Sequence, residues 1–134
     1  MKYQNAEELY KIFAAMIEKV KQDQELTDKL VASNLVVALK IPNIEALITM
    51  DLKGAINVTY GATDIKPDVT SIQNDEIFNK FWQGKVNIML AMTKGQIRVQ
   101  GAATQMLKLL PTLTPVYKYY SDALKDADRK DLIA

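Results

Sequence analysis

The chain has 134 residues, 49% hydrophobic and 25% charged, with 17 basic and 16 acidic side chains that leave a net charge of +1. Such a length is most simply one domain, residues 1–134, with a core large enough to need no metal or disulfide staple. The charge balance excludes an overall field that draws in nucleic acid or an anionic membrane, and a chain without cysteine has no disulfide framework and no thiol nucleophile. The start, MKYQNAEELYKIF, is too charged for a signal-peptide core, and no apolar run is long enough to span a bilayer. A cytoplasmic location is expected.

From Glu7 to Lys21, the residues Leu9, Ile12, Phe13, Met16, Ile17 and Val20 fall on one helical face, with Asn5 as its N-cap. A shorter helix is predicted over Glu25 to Ala32. The period then changes to two, giving strands over Asn34 to Ile41, Glu45 to Leu52 and Ala55 to Tyr60, with a tight turn at Lys53-Gly54. A loop runs from Gly61 to Pro67, and Asp68 to Gln73 reads as a weaker fourth strand. Because apolar and polar residues alternate, the sheet is expected to bury one face and to pair antiparallel.

Asn74 or Asp75 caps a helix that carries Ile77, Phe78, Phe81 and Trp82, and Gly84 ends it. Val86 to Met92 reads as a short helix, Gln96 to Gln100 as a fifth strand, and Ala102 to Leu110 as a helix running up to Pro111. Thr114-Pro115 reads as an N-cap followed by a first-turn proline, opening a last helix with Val116, Tyr117, Tyr120, Ala123 and Leu124. The tail DADRKDLIA is expected to fray. The fold class is therefore α+β, a twisted antiparallel sheet of about five strands covered by helices.

Within this order, the run FWQGK, NIMLAMTKGQIRVQG and the apolar helix holding Met106-Leu107 resembles the sterol carrier protein 2 family. The motif is Gly84-Lys85, an apolar helix with Ala91-Met92, a turn at Gly95, a strand with Ile97 and Val99, and a closing Gly101. The likeness extends from about Leu9 to Leu110. It departs in two places: the end DRKDLIA is not a peroxisomal tripeptide, and the Thr112 to Leu124 helix has no clear counterpart. The resemblance implies an apolar tunnel between sheet and helices that holds a fatty acid, fatty acyl-CoA, sterol or phospholipid, with no catalytic motif.

The lining expected on this basis is Ile48, Met50, Phe78, Phe81, Trp82, Ile88, Met89, Met92, Met106, Leu107, Leu110, Leu113 and Tyr117. Methionine suits such a wall because its unbranched side chain repacks at low cost. A sixteen-carbon chain buries on the order of fifteen methylenes at ~0.8 kcal/mol each, roughly 12 kcal/mol before ordering costs. A standing cavity of ~300 Å3 would instead cost roughly 7 kcal/mol at ~24 cal/mol per Å3. The wall is thus expected to close up or stay filled. Arg98, Lys85 or Lys108 could pair with an anionic head at an entrance, or serve as solvated surface charge.

Enzyme chemistry is disfavoured. The chain has no histidine, the commonest general base at neutral pH. Ser33, Ser71 and Ser121 stand in no nucleophile-elbow context. The carboxylate pairs Asp64/Asp68 and Asp75/Glu76 lie where turn and cap roles suffice, and match no calcium loop. No metal and no cofactor is expected. The partners expected are a lipid or other hydrophobic small molecule and, transiently, a membrane surface. Two further readings stay open: the Met and aromatic stripe as ordinary core, and an interaction module whose groove is filled by its own Thr112 to Leu124 helix.

Overall fold

The computed structural model describes residues 2–134 and opens with two helices, α1 (Ala6–Lys21) and α2 (Gln24–Ala32). Each starts on a side-chain cap: Asn5 Oδ1 accepts the Glu8 N–H at 2.9 Å, and Asp23 Oδ1 accepts the Leu26 N–H at 3.1 Å. The stripe predicted on α1 is buried along its whole length, from Leu9 to Val20.

Five strands follow: β1 (Val36–Ile41), β2 (Ala46–Asp51), β3 (Asn57–Tyr60), β4 (Val69–Gln73) and, later in the chain, β5 (Ile97–Gly101). They form one sheet in the order β3-β2-β1-β4-β5. The first three make the expected antiparallel meander, and β5 pairs antiparallel with β4. The β1–β4 pair, however, is parallel, so the sheet is mixed rather than wholly antiparallel. Alternation reports which face a residue occupies and nothing about a neighbour's direction. The connection sets the direction: the eight residues 61–68 reach roughly 26 Å when extended at ~3.3 Å each. That crosses three strand spacings of ~4.8 Å and regains the end from which β1 started. Asp68 pins the landing point, its Oδ2 accepting the Val36 N–H at 2.9 Å and its backbone N–H donating to Val36 at 2.8 Å.

The turn between β2 and β3 is also longer than the tight Lys53-Gly54 reversal expected. Strand pairing stops at Asp51 and Asn57, because Leu52 and Ile56 turn inward and are buried.

After β4 come α3 (Asp75–Trp82), capped by Asn74, and α4 (Ile88–Thr93), capped by Asn87. Next are β5, α5 (Ala103–Leu109), a 3-10 turn over Leu110–Leu113 and α6 (Thr114–Asp126). Thr114 is no cap, since the 3-10 turn runs straight into α6 with helical dihedrals on both sides. Gly101 closes β5 at φ +92°, and a side chain there would collide with the Asp68 carbonyl oxygen.

The tail does not fray. Leu132 is buried, and its carbonyl accepts from Asn79 Nδ2 at 2.8 Å and Gln83 Nε2 at 2.9 Å. Arg129 bonds Glu8, Asp131 and the Lys2 carbonyl; these carboxylates, Asp131 foremost, push its pKa up. Beneath the tail, the Tyr120 hydroxyl donates to Asn79 Oδ1 at 2.6 Å and meets the Tyr3 hydroxyl. Burial raises both phenols above their ordinary pKa, so they stay neutral donors. This buried network ties the N-terminal segment, α3, α6 and the tail together.

Candidate functional site

Between the sheet and the helices lies an apolar cavity of about 80 Å3. Its floor is strand surface: Val37 and Leu39 from β1, Met50 from β2, Ser71 from β4 and Ile97 from β5, with Leu52 and Ile56 from the turn. These side chains converge because they share one face in register, Val37 opposite Met50 and Leu39 beside Ser71. The roof is helical: Met16, Ile17 and Val20 from α1, Leu30 from α2, Phe81 and Trp82 from α3, Ile88 from α4, Met106 and Leu109 from α5, and Val116 from α6. Leu110 and Leu113 of the 3-10 turn complete it. Apart from the Trp82 indole, Ser71 is the one lining side chain with a polar atom.

Aromatic packing fixes one wall. Trp82, the only tryptophan of the chain, meets Phe81 edge-on at 5.2 Å and Phe13 edge-on at 5.3 Å between ring centroids. Phe78 stands behind them, 6.0 Å from both Phe13 and Trp82.

Of the thirteen side chains expected to line a tunnel, Met50, Phe81, Trp82, Ile88, Met106, Leu110 and Leu113 are brought together in this wall. The other six lie elsewhere. Ile48 and Phe78 are fully buried in solid core. Met89 is 60% exposed and Met92 half-buried, because the six-residue α4 turns Ile88 and Ala91 inward instead. Leu107 is half-buried off the lining, since on α5 the inward set is Met106, Leu109 and Leu110 at i, i+3 and i+4. Tyr117 packs over Gly84, where an added Cβ would come within 2.7 Å of its ring. The proposed entrance cations are also dispersed. Lys85 Nζ donates to the Ala134 carbonyl oxygen, while Arg98 edges a separate polar groove with Asn43, Gln73 and Asn74.

The lining residues from α1, α2 and β1 lie outside the set expected from the sequence. The signal was present in the second half of the α1 stripe and in the inward register of Val37 and Leu39. Both look like any buried face until the helix above them stands away from the sheet.

The carboxylates have structural work. Asp75 and Asn43 bond each other reciprocally, Asn43 Nδ2 to Asp75 Oδ1 at 2.7 Å and the Asp75 N–H to Asn43 Oδ1 at 3.0 Å. Among the described residues no three His, Cys, Asp or Glu side chains cluster as metal ligands, and no helix is long and apolar enough to cross a membrane. The arrangement offers enclosure and hydrophobic contact.

The architecture is thus an α+β fold, a mixed five-stranded sheet roofed by helices over an apolar cavity. The SCP-2 sterol transfer family matches residues 13–114, and the chain belongs to that family, whose domains bind and transfer hydrophobic lipids. Over 78 residues the chain is 36% identical to "Peroxisomal multifunctional enzyme A" of Dictyostelium discoideum, covering 58% of this chain and 18% of that one. The solution structure of sterol carrier protein domain 2 of Helicoverpa armigera superposes with a TM-score of 0.59 at 27% identity, covering 81% of this chain and 89% of that one. The sec-alkylsulfatase Pisa1 from Pseudomonas sp. superposes at 0.55 with 19% identity, over 61% of this chain and 13% of the enzyme. The chain thus spans less than a fifth of the multifunctional enzyme and of the sulfatase.

Proposed function

We propose that this chain is a non-catalytic carrier that holds one fatty acid, fatty acyl-CoA, sterol or phospholipid between its sheet and its helices. The observation that carries the reading is a cavity fed by every layer of the fold and lined almost wholly by apolar side chains. At about 80 Å3 it costs only ~2 kcal/mol at ~24 cal/mol per Å3, which a domain of this size tolerates. Sites for lipid-sized ligands start at roughly 300 Å3. Loading therefore widens the cavity, and Met16, Met50 and Met106 in its wall repack most cheaply.

The reading is tested with a dibrominated fatty acid, whose heavy atoms quench tryptophan only in contact. Trp82 is 4% exposed, so collisional quenching from bulk solvent is weak. Saturable quenching at one lipid per protein is expected, with acrylamide access unchanged. Quenching that fails to saturate, or its absence, would show that no lipid enters beside Trp82.

We assign the transient membrane contact to α4. Met89 and Leu90, 60% and 49% exposed, project from the same short helix whose Ile88 lines the cavity. The exposed Lys94 stands at the C-terminal end of the same helix. Each basic residue near an anionic bilayer contributes about 1 kcal/mol. Replacing Met89 and Leu90 together by serine is expected to slow lipid transfer from phosphatidylserine vesicles at least about tenfold. Binding of monomeric lipid stays unchanged. Equal transfer rates would move the contact elsewhere on the surface.

A further inference from the structure

One polar atom in the cavity has a fixed hydrogen-bonding polarity. Gln73, on the same face of β4 as Ser71, donates from Nε2 to the Lys40 carbonyl at 3.1 Å. The opposite amide orientation would set two oxygens against each other there, so Oε1 must point away from Lys40. It points at Ser71, 2.7 Å from Oγ. An amide oxygen only accepts, so the Ser71 proton is committed to Gln73. Ser71 Oγ is left with lone pairs alone, and among the described residues no donor reaches it. Ser71 is 5% exposed and lines the cavity, while Gln73 is 7% exposed.

We infer that Ser71 is a hydrogen-bond acceptor for the ligand, and that it selects an uncharged lipid with a hydroxyl group that enters hydroxyl-first. The inference rests on the carrier reading above. A hydroxyl donor satisfies Ser71 without adding charge to a lining that contains no cation. An ionised carboxylate or a phosphate ester only accepts, and would face the lone pairs of Ser71 in an apolar enclosure. Such heads stay at the mouth. An ether or ester of matching length fills the same space yet makes no bond with Ser71. The Lys40 carbonyl thus dictates the ligand's chemistry through two intervening side chains.

The test uses 1-dodecanol and dodecyl methyl ether, titrated against Trp82 emission on the full chain. The readout is the ratio of the two dissociation constants. Differences in aqueous solvation between the two probes are the same for every variant and cancel when ratios are compared. A hydrogen bond of ordinary net strength corresponds to about a fivefold to tenfold advantage for the alcohol. Ser71→Ala is expected to erase that advantage by weakening the alcohol alone. Gln73→Met releases the Ser71 proton, so the ether becomes an acceptor for it, and the ratio narrows because the ether gains. A merely structural effect of either substitution shifts both probes together and leaves the ratio as it was. That outcome, with both probes still binding, overturns the role of Ser71 and leaves the carrier reading intact. Binding of neither probe overturns both.

Discussion

Val37→Phe is expected to weaken lipid binding by on the order of several hundredfold while leaving the fold about as stable as before. Val37 is 3% exposed on the central strand, its side chain on the cavity floor beside Met50 and Val69 in register. Phenylalanine keeps the strand preference of that position, and its extra volume goes into space that no side chain occupies. Filling all 80 Å3 gains at most ~2 kcal/mol. Imperfect fit of the ring costs ~1–3 kcal/mol. The two nearly cancel, so the unfolding midpoint should move by a few degrees at most. A ligand chain fares differently. A ring on the floor displaces roughly four or five methylenes at ~0.8 kcal/mol each, some 3–4 kcal/mol, or a loss on the order of several hundredfold in affinity. Thermal unfolding and dibromolipid quenching of Trp82, run on the same preparation, separate the two effects. Unchanged affinity in a folded variant would mean that lipid does not occupy the cavity floor.

The contrast between Val37 and Met89 shows how far the sequence reached. The inward set Leu35, Val37, Leu39 and Ile41 and the stripe from Leu9 to Val20 were legible as buried faces, though not as cavity walls. The motif from Gly84 to Gly101 identified the family, and the Asn5 and Asn74 caps fell where expected. Periodicity assigns a residue to the inward side without saying what stands opposite. Ile48 and Met50, two residues apart on one face of β2, end in solid core and in the cavity wall respectively. The difference lies in where α1 stands over the sheet, which long-range packing decides. In α4 the periodicity itself was weak: six residues, IMLAMT, give fewer than two turns. Small Ala91 faces the protein while Met89 faces out, the reverse of what hydrophobicity suggests. The parallel β1–β4 pair was equally hidden, because direction resides in the length of the 61–68 crossing. Ser71 was visible only as a serine lacking a nucleophile's context. Its meaning comes from Gln73 and the Lys40 carbonyl, 33 residues apart in sequence.

Removing residues 111–134 is expected to leave a chain with no cooperative unfolding transition. The segment supplies Leu113, Val116, Tyr120, Ala123, Leu124 and Leu132 to the buried core, with Tyr120, Ala123 and Leu124 fully enclosed. Five of these are large side chains worth about 1.5–3 kcal/mol each, together on the order of 10 kcal/mol. That equals the whole stability of an ordinary domain, about 5–15 kcal/mol. Loss of α6 also strips α1 of the helix it packs against and leaves Tyr3 and Asn79 buried without Tyr120. A helix that merely plugged a groove would behave in the opposite way. Its removal would give a folded protein with faster and tighter lipid uptake. α6 touches the cavity only through Val116, with Leu113 just before it, and spends the rest of its apolar face on the core. A milder substitution, Tyr120→Ala, is expected to cost about 3–5 kcal/mol, as large-to-small changes at buried aromatics do. Circular dichroism and denaturant titration of both variants decide the matter. A stable truncated domain with enhanced uptake would restore the gate.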